Sequence, residues 1–264
     1  MNRYARILPF IKTLAITFAF ICLKAHAYDP ADTFIAKPGN MPLILTVPHD
    51  GENTLSFVST RMQGATVRDA GTQDLAERTA ELIEQKTGKR PYIVIAKINR
   101  KYLDVNRNEK EAFESPNAEA AYRAYHSQVA QYVAEVKDKF PSGALLIDVH
   151  GQSDAPDTIF FGTGSGLTVQ ALHKKFGDVA MHGESSIALT LEARGYQVFP
   201  PTKDSGTADD PRFNGGFTVR NYGSNKKNGI DAIQLEFGRN IRAHLKLPED
   251  FEEAIVQFMS KYIP

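Results

Sequence analysis

An α/β domain, with a mixed and largely parallel central sheet covered by helices on both faces, is the fold class that this 264-residue sequence predicts. Three observations lead there. Short β-rich runs alternate with amphipathic helical patterns along the chain. The strands are almost continuously apolar, as in Leu43-Ile44-Leu45-Thr46-Val47 and Ala144-Leu145-Leu146-Ile147-Asp148-Val149, which is the pattern of strands buried on both faces. No repeat or linker interrupts the alternation, so residues 28–264 read as one domain.

The elements follow in order. Residues 43–47 form a strand that Pro48 ends. From Thr72, the positions Leu75, Thr79, Leu82 and Ile83 share one helical face, and Gly88 is placed to stop the turn. Residues 92–98 are the next strand. A long helix spans 117–140, with Ala121, Tyr125, Val129, Tyr132, Val136 and Phe140 on one side; Pro141 and Gly143 end it. Residues 144–149 and 158–161 are strands. The run Gly162-Thr163-Gly164-Ser165-Gly166 resembles a phosphate cradle but lacks the Lys-Ser/Thr of a P-loop, so it reads as a flexible connection into a helix ending near Phe176. A helix over 186–194 stops at Gly195, and 196–199 is strand. Residues 200–229, rich in Pro, Gly, Asp and Asn, read as a long functional loop pinned by one short strand. Residues 231–237 are a late strand, and Phe251, Ile255, Phe258 and Tyr262 mark a closing helix.

Composition narrows the chemistry. Lys plus Arg and Asp plus Glu both number 31, so no polybasic surface marks a nucleic-acid or membrane-surface partner. Arg3, Arg6 and Lys12 precede the apolar run Leu14–Leu23, and Ala25-His26-Ala27 supplies a small-x-small cleavage site. Basic, apolar and small-residue regions in that order predict a signal peptide over 1–27, with an uncleaved anchor as the alternative, and a periplasmic or secreted protein. Cleavage after Ala27 removes the single Cys. The remaining chain has no thiol for a nucleophile or a thiolate metal site, and chemistry falls to His, Asp, Glu, Ser, Tyr and Arg.

Three strand ends carry unusual residues: Val47-Pro48-His49-Asp50-Gly51-Glu52, Asp148-Val149-His150-Gly151 and Gln234-Leu235-Glu236-Phe237. In such sheets, ligands bind at the carboxyl ends of strands. Two imidazoles and a carboxylate form the ligand set of a catalytic zinc, so His49, Glu52 and His150 are expected to bind Zn2+. Glu236 is expected to act as general base, and Asp148, two residues before His150 on one strand face, to orient its imidazole. Asn106 and Arg107 suit a substrate carboxylate, though Arg100 and Arg107 could equally be a pair of surface or salt-bridged arginines. Arg220, beside Gly215-Gly216, could hold an anionic group or simply belong to a loop. His126, His173, His182 and His244 read as solvated.

Five stretches together resemble the N-formylglutamate amidohydrolase family, related in fold to zinc carboxypeptidases. They are Val47–Gly51, Arg100–Arg107 with its Asp-x-Asn-Arg core, Leu146–Gly151, Gly215-Gly216 through Tyr222-Gly223, and Ile233–Glu236. The resemblance implies a phosphorylase/hydrolase-like αβα sandwich and metal-assisted amide hydrolysis. It assigns His49, Glu52 and His150 to zinc, Asn106 and Arg107 to a substrate carboxylate, and Glu236 to proton transfer. The expected substrate is a small carboxylate-bearing N-acyl amino acid or peptide. An exported amidase or carboxypeptidase acting on cell-wall peptides would use the same residues. A non-catalytic binding protein on the same fold would have no need of Glu236.

Overall fold

The computed structural model describes residues 28–204 and 206–264; the predicted signal peptide lies outside them. Seven strands among the described residues form one sheet in the order β1-β3-β2-β4-β7-β5-β6. They are β1 (Phe34–Lys37), β2 (Leu43–Val47), β3 (Tyr92–Ala96), β4 (Leu145–Gln152), β5 (Thr158–Gly162), β6 (Gln197–Phe199) and β7 (Asp231–Gly238). The β2, β3, β4 and β7 core is parallel, as is the β5–β6 pair. β1 runs antiparallel to β3, and β5 antiparallel to β7. The sheet is thus mixed and largely parallel, as predicted.

Alternation along the strands sends side chains to two helical layers. Leu43, Leu45, Leu145, Ile147, Val149, Ile233 and Leu235 pack under α1 (Thr72–Thr87), α4 (Gln170–Phe176), α5 (Val179–His182), α6 (Ile187–Ala193) and α9 (Leu247–Tyr262). Ile44, Leu146 and Ala232 pack under α3 (Glu119–Lys139) and α7 (Phe217–Tyr222). Two single-turn helices, α2 (Glu109–Ala112) and α8 (Arg239–Arg242), complete the set. The helical faces run as the spacing predicts: α3 buries Ala121, Tyr125, Val129, Tyr132 and Val136, and α1 ends where Gly88 takes a left-handed φ of 69°.

Some expectations need correction. The edge strand β1, only four residues long and half-buried to exposed, is too short to give a sequence signal. β4 continues through Gln152, so His150 lies within it rather than beyond it. Residues 200–229 contain α7 instead of a short strand.

On the α3 side, the strand residues change character toward the carboxyl ends. Ile44, Leu146 and Ala232 give way to Thr46, Asp148 and His150, and Gln234 and Glu236. The β4–β7 register sets Asp148 beside Gln234 and His150 beside Glu236. The apolar layer stops and the polar site begins on the same face of the same strands.

Candidate active site

His49 follows β2, and His150 sits on its neighbour β4, at the point where the chain order reverses across the sheet. Their Nδ1 atoms lie 3.1 Å apart, and Asp69 Oδ2 is 3.3 Å from the first and 3.2 Å from the second. All three residues are buried. Ligand atoms of His49, Asp69 and His150 lie within 4.8 Å of one another, a spacing that a single metal ion can bridge. The outer nitrogens are tied back: His49 Nε2 to Asp104 Oδ1 at 2.6 Å and His150 Nε2 to Asp148 Oδ2 at 2.8 Å. A carboxylate on Nε2 fixes the tautomer with its proton there and turns the Nδ1 lone pair inward. Two such lone pairs facing each other beside a carboxylate require a proton or a cation between them, so the donor set fits a metal of the zinc type.

Asp148 stands where the sequence placed it, and Thr46 Oγ1 donates to its other oxygen at 2.5 Å. The Glu52 expectation is overturned. Asn53 pairs in parallel with Ile98, while Val47 pairs with Ile95, so six residues on one side span three on the other. The surplus bulges His49 toward β4, after which the chain returns along β3. A Cβ on Gly51 would stand 2.4 Å from the backbone of Lys97, so only glycine permits that approach. Glu52 is carried out to solvent, where it pairs with Arg68. The third donor is Asp69, on the loop before α1, where neither periodicity nor a motif marks it.

The electrostatics follow from burial. Burial pushes the Asp69 carboxyl up, but the His49 charge and hydrogen bonds from His150 and His49 outweigh it and hold Asp69 below the usual range. Asp104 behaves alike: desolvation is overcome by His49, with Arg100 and Arg61 adding to the effect. Arg100 Nε lies 3.1 Å and Arg107 Nε 3.7 Å from Asp104 Oδ2. Desolvation would lower His150, yet the charges of Asp148 and Glu236 raise it well above the ordinary histidine value. Glu236 is raised above the usual carboxylate value by desolvation, with the charge of His150 partly opposing. Its Oε1 is 3.8 Å from His150 Nδ1 and accepts from Gln234 Nε2 at 3.0 Å.

A cavity of about 440 Å³ opens over the cluster, with His49, Asn106, Arg107, His150, Arg220 and Glu236 in its lining. Arg107 is half exposed there. Asn106 is more constrained than its expected role implies: Oδ1 accepts from Thr218 N at 2.8 Å, and Nδ2 is 3.1 Å from His150 Nε2. Arg220 is spent on the loop, donating to Gly215 O at 2.9 Å and Asn214 Oδ1 at 3.1 Å. His126, expected in solvent, is largely enclosed between Val105 O and Tyr222 Oη, each at 2.9 Å. Arg242, unsignalled in the sequence, donates to Ala70 O at 3.0 Å, to Gln152 O at 3.3 Å and to Phe237 O. These carbonyls lie just past Asp69, His150 and Glu236.

Residues 115–242 match the family model of N-formylglutamate amidohydrolase. The fold is similar to that of an N-formylglutamate amidohydrolase from Ralstonia eutropha, with a TM-score of 0.59 at 14% identity over 88% of this chain and 98% of that one. It is also similar to the gene product Atu2144 of Agrobacterium tumefaciens, with a TM-score of 0.52 at 14% identity over 88% and 94% of the two chains. No curated protein matches the sequence. Over residues 115–242 the sequence is therefore similar to the N-formylglutamate amidohydrolases, and over most of its length the chain shares their fold.

Proposed function

We propose that the protein is an exported, zinc-dependent hydrolase that cleaves the amide bond of a small carboxylate-bearing N-acyl amino acid or peptide. The observation that carries this reading is the convergence of His49 Nδ1, Asp69 Oδ2 and His150 Nδ1, with Glu236 beside them. Zinc, when bound, supplies a Lewis acid for the amide carbonyl and for water. Asp104 and Asp148 hold the two imidazoles in the tautomer that frees Nδ1. Glu236 accepts the proton of the attacking water on its carboxylate and returns it to the departing amine nitrogen. Gln234 keeps that carboxylate in place from below. Arg107, a half-exposed cavity guanidinium whose neighbouring Asp104 is already shared with Arg61 and Arg100, meets the substrate carboxylate and orients the scissile bond.

The test is metal content measured together with hydrolysis of formyl- and acyl-glutamates and of muropeptides. The expected result is one equivalent of zinc and turnover that a chelator abolishes. Glu236→Gln should lower kcat by about 10²–10⁴-fold while the metal is retained. Absence of stoichiometric metal, or full activity in Glu236→Gln, would refute the mechanism.

A further inference from the structure

The glycine-rich turn after β5 is not a slack connection. Asp209 Oδ2 accepts from Thr163 N at 2.6 Å, from Thr163 Oγ1 at 3.2 Å and from Ser165 N at 2.9 Å. A concavity of backbone N–H groups that would suit an anion is thus filled by a carboxylate of the same chain. Three successive residues have left-handed backbones to form it: Gly164 (φ 62°), Ser165 (φ 54°) and Gly166 (φ 89°). Ser165 carries a Cβ, for which this conformation is unfavourable, and its N–H is one of those aimed at Asp209.

The segment beyond Asp209 docks on the same turn. Gly164 N donates to Asn214 O at 2.7 Å, and a Cβ on Gly162 would stand 2.2 Å from Phe213 O. Asp210 holds Arg212 through two hydrogen bonds of 2.9 and 2.8 Å, with the guanidinium 5.0 Å from the Phe213 ring centroid. Arg212, Asn214, Gly215 and Gly216 then line the cavity. The carboxylate in the turn is the upstream anchor of one cavity wall.

We propose that Asp209 is a positioning residue, which by seating its carboxylate on Thr163 and Ser165 fixes segment 209–216 as the substrate-facing wall. The kinetic part of this inference rests on the reading that the cavity receives substrate; the structural part does not. Asp209→Ala is expected to raise KM about tenfold, the factor for losing charge-assisted hydrogen bonds, with kcat nearly unchanged because no reacting group moves. Tryptic cleavage at Arg212–Phe213 should accelerate by a similar factor. Formate, a small carboxylate able to occupy the vacated turn, should restore both properties in Asp209→Ala relative to the wild type measured at the same formate concentration on a substrate that does not release formate. Asp209→Asn, whose amide oxygen still accepts two N–H groups, should fall between and serves if the alanine variant folds poorly. Wild-type cleavage rates in both variants, or a loss confined to kcat, would overturn the proposal. Faster cleavage with formate rescue, in a protein that hydrolyses no amide, would leave the anchor standing and refute only the functional reading.

Discussion

His126 gives a stability prediction with a sign. It lies on α3 with Nε2 2.9 Å from Val105 O and Nδ1 2.9 Å from Tyr222 Oη, which also donates to His126 O at 3.0 Å, so the ring is held in a largely enclosed position. Desolvation lowers its pKa from 6.5 to about 4, outweighing the hydrogen bond to Val105 and the charge of Asp148. Between those values the unfolded chain binds a proton that the folded chain refuses. Stability is therefore fully present above pH 6.5 and is lost as pH falls toward 4. At 1.36 kcal/mol per unit, the loss is about 3 kcal/mol. The perturbation is His126→Gln, whose amide can still donate to Val105 but does not titrate. Urea unfolding of both proteins in chelator, from pH 7 to 4, isolates this group from the carboxylates that titrate in the same range. The wild type should lose about 1.4 kcal/mol per pH unit more than the variant. Parallel curves would mean that His126 is solvated and that the enclosed-ring argument is wrong.

Two further comparisons bear on the site. Asp69→Asn should weaken zinc binding by at least about 100-fold in chelator competition, whereas Glu52→Gln should leave it within about twofold; the reverse order would restore Glu52 as the ligand. Gly216→Ala should cost about 1–3 kcal/mol in urea unfolding, because its Cβ would stand 2.3 Å from Asn106 Nδ2, and an unchanged midpoint would show that Asn106 is free to move.

The fold was legible because the central strands are buried on both faces and so are written as apolar runs that no surface element imitates. His150, Asp148 and Glu236 were legible for the same reason: a charged residue inside such a run needs a purpose. Glu52 misled because His-x-x-Glu resembles a ligand spacing, while its geometry depends on a long-range pairing of Asn53 with Ile98. Asp69 lies in a loop whose path is set by tertiary contacts, and no periodicity reaches it. Arg220 looked like an anion ligand, since a guanidinium that binds loop carbonyls and one that binds substrate have the same letter. The glycine-rich turn after β5 did resemble an anion cradle, but its occupant, Asp209, is 44 residues from Ser165 in sequence.

Arg242 touches carbonyls from three separated stretches of the chain, each just beyond a site residue. Its guanidinium is satisfied only when the loop into α1, the end of β4 and the end of β7 have all arrived. The His49, Asp69 and His150 cluster is therefore a property of the completed domain and not of any fragment. On the proposed metal reading, ligation would stabilise the molecule as a whole: a free concentration one hundred times Kd would add about 2.7 kcal/mol to global unfolding, and stripping the ion would withdraw that reserve from every layer at once.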